Sequence, residues 1–203
     1  MKNLFTLIMV MLVSIGYSQS DDDNDSSVSQ SKFYLGVGLG LASTGGDISS
    51  DNNYSTGLNL NFLNIGYRFN ETWGLTANLG SAGHAIDDSD AALGIGVFSF
   101  GPMISFSVGD NTSWDFKPQY APSMKGKYVG DDIGIIKNVT FNGSAFIIGN
   151  SLVFGDGSKG FDFSLDVDYL TGKFDDISGP GGTIDDDSKY NSFRLGLGIR
   201  YNF

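Results

Sequence analysis

The sequence predicts an all-β chain: an eight-stranded antiparallel up-and-down transmembrane β-barrel with short periplasmic turns and long acidic extracellular loops. Three observations carry this. Apolar residues recur with a period of two from Phe33 onward, and no segment sustains a 3.6-residue period. The connections between these runs alternate between short and long. Aromatic residues gather beside the short ones.

The N-terminus reads as a secretory signal over residues 1–18: Lys2, an apolar run over 4–13, and Gly16-Tyr17-Ser18 as a small-x-small site before Gln19. That run is too short to span a bilayer as a helix. Residues 19–32, "QSDDDNDSSVSQSK", have almost nothing to bury and form a disordered acidic periplasmic segment. Asp21, Asp23 and Asp25 imitate the start of an EF-hand loop, but Ser26 stands where that loop needs Gly and Lys32 where it needs Glu.

The barrel domain occupies residues 33–203. Its first strand, "FYLGVGLGLA", sets Phe33, Leu35, Val37, Leu39 and Leu41 against Gly36, Gly38, Gly40 and Ala42. The second, residues 58–69, begins on Leu58, Leu60 and Phe62 and changes phase to Leu63, Ile65, Tyr67 and Phe69, which predicts a bulge. The third opens on Trp73 and carries Leu75, Ala77 and Leu79 against Thr76, Asn78 and Gly80. The fourth, residues 93–108, starts its apolar face on Leu93, Ile95 and Val97 and resumes it on Ile104, Phe106 and Val108. Pro102 lies inside it and requires a bulged ladder.

The fifth strand opposes Trp114, Phe116, Pro118 and Tyr120 to Asp115, Lys117 and Gln119, and the sixth, residues 139–154, shifts from Val139 and Phe141 to Phe146, Ile148, Leu152 and Phe154. The seventh opposes Phe161, Phe163, Leu165, Val167 and Tyr169 to Asp162, Ser164, Asp166 and Asp168. The eighth, "FRLGLGIRYNF", opposes Phe193, Leu195, Leu197, Ile199, Tyr201 and Phe203 to Arg194, Gly196, Gly198, Arg200 and Asn202.

Short connections fall at 70–72, 109–113 and 155–160, and long acidic ones at 43–56, 81–91, 121–138 and 172–192. An even strand count returns both termini to the periplasm. Alternation alone does not say which face is inside, because a soluble lipocalin-like barrel alternates too. The aromatic level decides for a lipid-facing apolar side: Phe69, Trp73, Phe106, Trp114, Phe154, Phe161 and Phe203 form a girdle at the periplasmic interface. The other face is then a narrow lumen in which Arg68, Lys117, Arg194 and Arg200 meet Asp115, Asp162, Asp166 and Asp168. A mutually neutralising plug is the expectation, and a narrow path for ions or small solutes the alternative.

On these residues the chain resembles the OmpA/OmpX-like small outer-membrane β-barrel domain family. Its ending, "GLGIRYNF", resembles that family's C-terminal assembly signal, with Gly198, Tyr201 and Phe203 at the expected spacing and Gly196 where a polar residue is usual. "FGPMISF", residues 100–106, looks like the family's Gly-Pro element. The resemblance implies delivery by periplasmic chaperones and recognition by the barrel-assembly machinery. It implies a Gram-negative cell envelope and an integral outer-membrane location. It leaves the role of the loops open.

Composition excludes several classes. A formal charge of −11 repels nucleic acid, and the absence of Cys removes disulfides, Cys-based zinc sites and a lipoprotein anchor. No cofactor is expected. "GDGSKG" matches G-x-G-x-x-G but is followed by a strand, so it is a hairpin turn rather than a pyrophosphate site. Ser81, His84, Asp87 and Asp88 share the second long connection; a solvated loop histidine is the expectation and a hydrolase or acyltransferase centre a distant third reading. Asp87, Asp88, Asp90, Asp131, Asp132, Asp175, Asp176 and Asp185 to Asp187 form an acidic rim with some capacity for Ca²⁺ or Mg²⁺. The expected whole is a non-enzymatic monomer in contact with the lipid bilayer and lipopolysaccharide, with a structural or surface-interaction role.

Overall fold

A computed structural model describes residues 31–50, 54–87, 90–130, 139–179 and 181–203. The segment read as a secretory signal, most of the acidic stretch after it, and Asp88, Asp131 and Asp132 lie outside these residues. The elements among them are β1 Phe33–Ala42, α1 Asp47–Ser50, β2 Gly57–Arg68, β3 Trp73–Ala85, β4 Ala92–Gly109, β5 Thr112–Val129, β6 Val139–Phe154, β7 Gly160–Gly179, β8 Gly182–Asp185 and β9 Lys189–Asn202. Each strand pairs antiparallel with the next from β1 to β7, and β9 lies between β7 and β1, so the sheet closes without an edge. β8 continues the line of β9 along the far end of β7, which leaves eight staves in the ring.

The bulge expected in the second strand is present. Gly36 pairs with Asn64 and Gly38 with Asn61, so Phe62 and Leu63 together oppose Val37, and the outward face passes from even to odd residues. Around Pro102 the β4–β5 ladder skips from Phe100–Tyr120 to Ile104–Phe116. Between those pairs Pro102 falls opposite Pro118, and neither residue has an N–H to give.

Three expectations need correction. First, β3, β5 and β7 run past their expected ends into what the sequence presented as long loops, to Ala85, Val129 and Gly179. Much of the loop end is therefore a continuation of the wall. Polar cross-strand pairs such as Asn142–Asp176 sustain it where apolar alternation stops. Second, Leu93, Ile95 and Val97 face inward rather than sharing an outward face with Phe106 and Val108. The β3–β4 ladder is unbroken from Trp73–Ile104 to Ala85–Ala92, so parity along β4 cannot change, and the outward residues there are Gly94, Gly96 and Phe98. Third, His84 is buried within β3, not solvated in a loop.

Inward glycines make room for large luminal side chains. A Cβ on Gly66 would lie 2.0 Å from the ring of Tyr34, which is fully buried. Gly66→Leu is expected to cost about 3 kcal/mol by overpacking. The check is the temperature at which a folded barrel in detergent converts to the slower-migrating unfolded band, which should fall well below that of the parent.

Candidate functional site

The lumen is layered. At the turn end, four charged residues from four strands converge. Arg200 Nη1 donates to Asp115 at 2.8 Å, and its Nε and Nη2 donate to Asp162 at 3.1 Å. Arg68 Nη2 lies 3.8 Å from Asp115. Ser105 adds a hydrogen bond to Asp115 at 2.7 Å, and Asn202 one to Asp162 at 2.8 Å. The ring of Tyr34 lies under both guanidinium groups, 4.8 Å from Arg200 and 5.6 Å from Arg68. All of these charged side chains are buried, and their carboxylates are satisfied by cations and neutral donors together.

Above this layer Lys117 lies 3.9 Å from Asp166 and donates to Ser151, which in turn donates to Asp166. Gly198 is inward at this level, and a Cβ there would meet Ser164 Oγ at 2.4 Å and Asp166 Oδ2 at 2.9 Å. Asp168 and Arg194 are direct cross-strand partners, yet no ion pair within 4 Å joins them. Arg194 Nε and Nη2 find no protein partner and border a cavity of about 50 Å³ lined by Asn61, Asn64, Asn78, Gln119 and Asp166. That volume is room for a few water molecules. The eight charged residues sum to zero.

The loop end of the lumen is apolar. Leu93, Ile95, Met124, Leu170, Phe174 and Tyr190 pack together with Ala121 and Ala145, all buried. Sequence reasoning missed this cluster because Ala121, Met124, Phe174 and Tyr190 come from strand continuations expected to be loops, and because alternation in the expected strands does not say which side is inward. A run such as Leu93-x-Ile95-x-Val97 looks the same whether it faces lipid or lumen.

Outside, the wall is apolar. Phe69, Trp73, Phe106, Trp114, Phe154 and Phe161 are exposed, with Phe161 at 66%. Phe106 stacks on Trp114 at 5.3 Å, and Tyr67 meets Phe69 at 5.6 Å. Above them Leu39, Leu60, Leu75, Phe146, Leu165 and Leu197 are also exposed. Asn150 is outward too, and the indole N–H of Trp114 donates to its side-chain oxygen at 3.2 Å. A closed sheet that satisfies its own backbone and presents an apolar exterior is the arrangement that hydrocarbon permits.

Comparison with solved structures agrees. The attachment invasion locus protein Ail of Yersinia pestis matches at a TM-score of 0.50 with 18% identity, over 85% of this chain and 100% of Ail. The same protein in complex with the heparin analogue sucrose octasulfate matches at 0.52, again with 18% identity and the same coverage. Neisserial surface protein A matches at 0.54 with 14% identity, over 86% of this chain and 99% of that one. The fold is that of a small integral outer-membrane β-barrel. No protein-family model and no curated protein matches the chain.

Within this outer-membrane barrel fold the last strand closes the ring. Tyr201 contacts the rings of Phe161 and Phe203 at 4.9 and 5.1 Å, and Phe203 lies 5.3 Å from Phe33. The Phe203 N–H donates to the Phe33 carbonyl at 3.1 Å, and its own carbonyl accepts from Ser31 Oγ. The turn at 155–160 places Gly157 at φ 71°, and a side chain on Gly155 would run into Asp162. Those needs account for Gly155 and Gly157. The Ser158 hydroxyl and N–H bonded to Asp156 hold that carboxyl below its usual range.

The barrel does not assemble a hydrolytic centre from Ser81, His84 and Asp87. Ser81 and His84 lie on opposite faces of β3, and Asp87 accepts instead from Ser55 Oγ at 2.7 Å. His84 Nδ1 faces the Ser55 carbonyl at 3.3 Å, and Nε2 faces the Tyr190 hydroxyl at 3.5 Å. Among the described residues no group of three or more Asp, Glu or His converges as a metal site.

Proposed function

We propose that the protein is a non-catalytic, monomeric barrel of the outer membrane that does not conduct, and that works through the surface it presents at its loop end. The short turns then lie in the periplasm. Phe69, Trp73, Phe106, Trp114, Phe154 and Phe161 anchor the periplasmic interface, and Gly198, Tyr201 and Phe203 serve as the assembly signal read by the barrel-assembly machinery.

The observation that carries this reading is side-chain packing at both ends of the lumen. The Arg68–Asp115–Arg200–Asp162 cluster occupies the turn end, and Leu93, Ile95, Leu170, Phe174 and Tyr190 pack together at the other. An ion crossing the barrel would have to break the first layer and strip its hydration in the second. Eight strands leave an interior just wide enough for side chains to fill.

Purified protein in a planar bilayer tests it. No discrete conductance steps are expected. Steps that vanish in the Asp166→Asn/Asp168→Asn variant would replace this reading with a carboxylate-lined channel.

A further inference from the structure

We propose that the outer wall of β2 to β5 carries a binding groove for a phosphorylated glycolipid of the outer leaflet, the lipid A portion of lipopolysaccharide, with Lys125 and Lys127 holding a phosphate. The inference rests on the membrane orientation proposed above and adds a site to it. Ten Lys and Arg residues fall among the described residues. Arg68, Lys117, Arg194 and Arg200 face the lumen, and Lys32 and Lys159 lie at the turn end. The remaining four, Lys125, Lys127, Lys173 and Lys189, are all exposed on β5, β7 and β9 at the opposite rim.

Their height is set by the girdle. Lys125 is eleven residues beyond Trp114 on β5. At a rise of ~3.3 Å per residue and a tilt near 45° this is about 26 Å, the height of the apolar band of such barrels. Lys173 stands twelve residues beyond Phe161 on β7, at about 28 Å by the same rise and tilt. The outward cations therefore lie level with the headgroups of the leaflet at the loop end.

At Lys125 and Lys127 the wall also has a shape. Lys125 pairs with Gly96 and Lys127 with Gly94, and Gly83 follows on β3 opposite Gly94. These small residues leave a groove of about 520 Å³, walled on its far side by the exposed Leu58 and Leu60. Alternate residues of one strand stand ~7 Å apart on one face, so both ammonium groups can converge on one phosphate. Leucine side chains and a glycine floor suit the acyl chain below it. Neither lysine forms an ion pair among the described residues. The carboxylate nearest Lys125 in the ladder, Asp176, is two strands away and accepts from Asn142. A groove with cations at its headgroup end and hydrocarbon along its floor complements a phosphorylated lipid better than it does bulk solvent or a protein strand.

The mature chain, refolded in zwitterionic detergent, is titrated with bis-phosphorylated lipid A and followed by native mass spectrometry. Lys125→Gln/Lys127→Gln is expected to weaken binding about thirtyfold, roughly fivefold per lysine near a charged lipid surface. Gly94→Leu fills the floor without disturbing the fold, because a Cβ there meets nothing closer than the Lys127 carbonyl at 3.9 Å. That variant should keep its heat-dependent gel shift and lose lipid A, while Lys159→Gln binds like the parent. Parent-like binding by both groove variants overturns the site. Equal binding of dephosphorylated lipid A, or equally tight and lysine-dependent binding of phosphatidylglycerol, overturns the assignment to a phosphorylated glycolipid. Failure of the parent to enter vesicles or shift on heating removes the membrane reading and this site with it, whereas normal insertion with insensitive variants removes the site alone.

Discussion

Arg200→Ala is expected to destabilise the barrel by about 3–5 kcal/mol, the usual cost of removing one partner from a buried charge cluster. Arg200 makes three of the hydrogen bonds that satisfy Asp115 and Asp162 and stacks on Tyr34. Without it, two buried carboxylates share Arg68, whose contact with Asp115 is 3.8 Å. Arg200→Lys should fall between alanine and the parent, since a single ammonium cannot repeat the planar fork between two carboxylates. Arg194→Ala should cost less than Arg200→Ala, because its Nε and Nη2 bond to no protein group. Urea midpoints of the folded barrel in vesicles, read by tryptophan emission, rank the three variants. Equal midpoints for Arg200→Ala and the parent would mean that this cluster does not hold the turn end together.

Deleting Phe203 should reduce outer-membrane levels in cells severalfold while barely altering stability once the barrel is folded. The Phe33–Phe203 ring contact, at 5.3 Å, is worth about 1 kcal/mol on the scale of aromatic pairs. Phe33→Ala removes the same contact from the other side and leaves Phe203 in place. If Phe203 is a recognition element, its deletion lowers surface levels and Phe33→Ala does not, although Phe33→Ala, which empties a buried site, shifts the unfolding midpoint in vesicles at least as far. Matched losses in cells would assign Phe203 a packing role only.

Most of the wall was legible because period-two alternation is a direct imprint of a sheet with different solvents on its two faces. "FDFSLDVDY" puts aromatic and aliphatic residues outward and aspartates inward, with no alternative phase, and β7 and β9 follow it. The bulge at Phe62 was legible for the same reason, as a slip in that alternation. Leu93, Ile95 and Val97 failed because the outward residues between them, Gly94 and Gly96, carry no side chain to mark the outer face, so the apolar residues alone set the apparent phase. There the ladder to β3, not local hydrophobicity, sets which side each residue takes. His84 was misplaced with them: polar and small residues look like a loop when the strand no longer has lipid on one side.

The sequence by itself determined the number of staves, the short-turn and long-connection ends, the lipid-facing character of the outer surface and the charged residues of the lumen. Each of these is written in nearest-neighbour pattern, which needs only the chain and its solvent. Only the tertiary structure decided which luminal charges meet, that Tyr34 underlies both arginines, that an apolar cluster packs into the loop end, and that Lys125 and Lys127 border a glycine-floored groove. Those depend on register between strands far apart in sequence. A one-residue difference in pairing exchanges lumen for lipid, so no local pattern contains the answer.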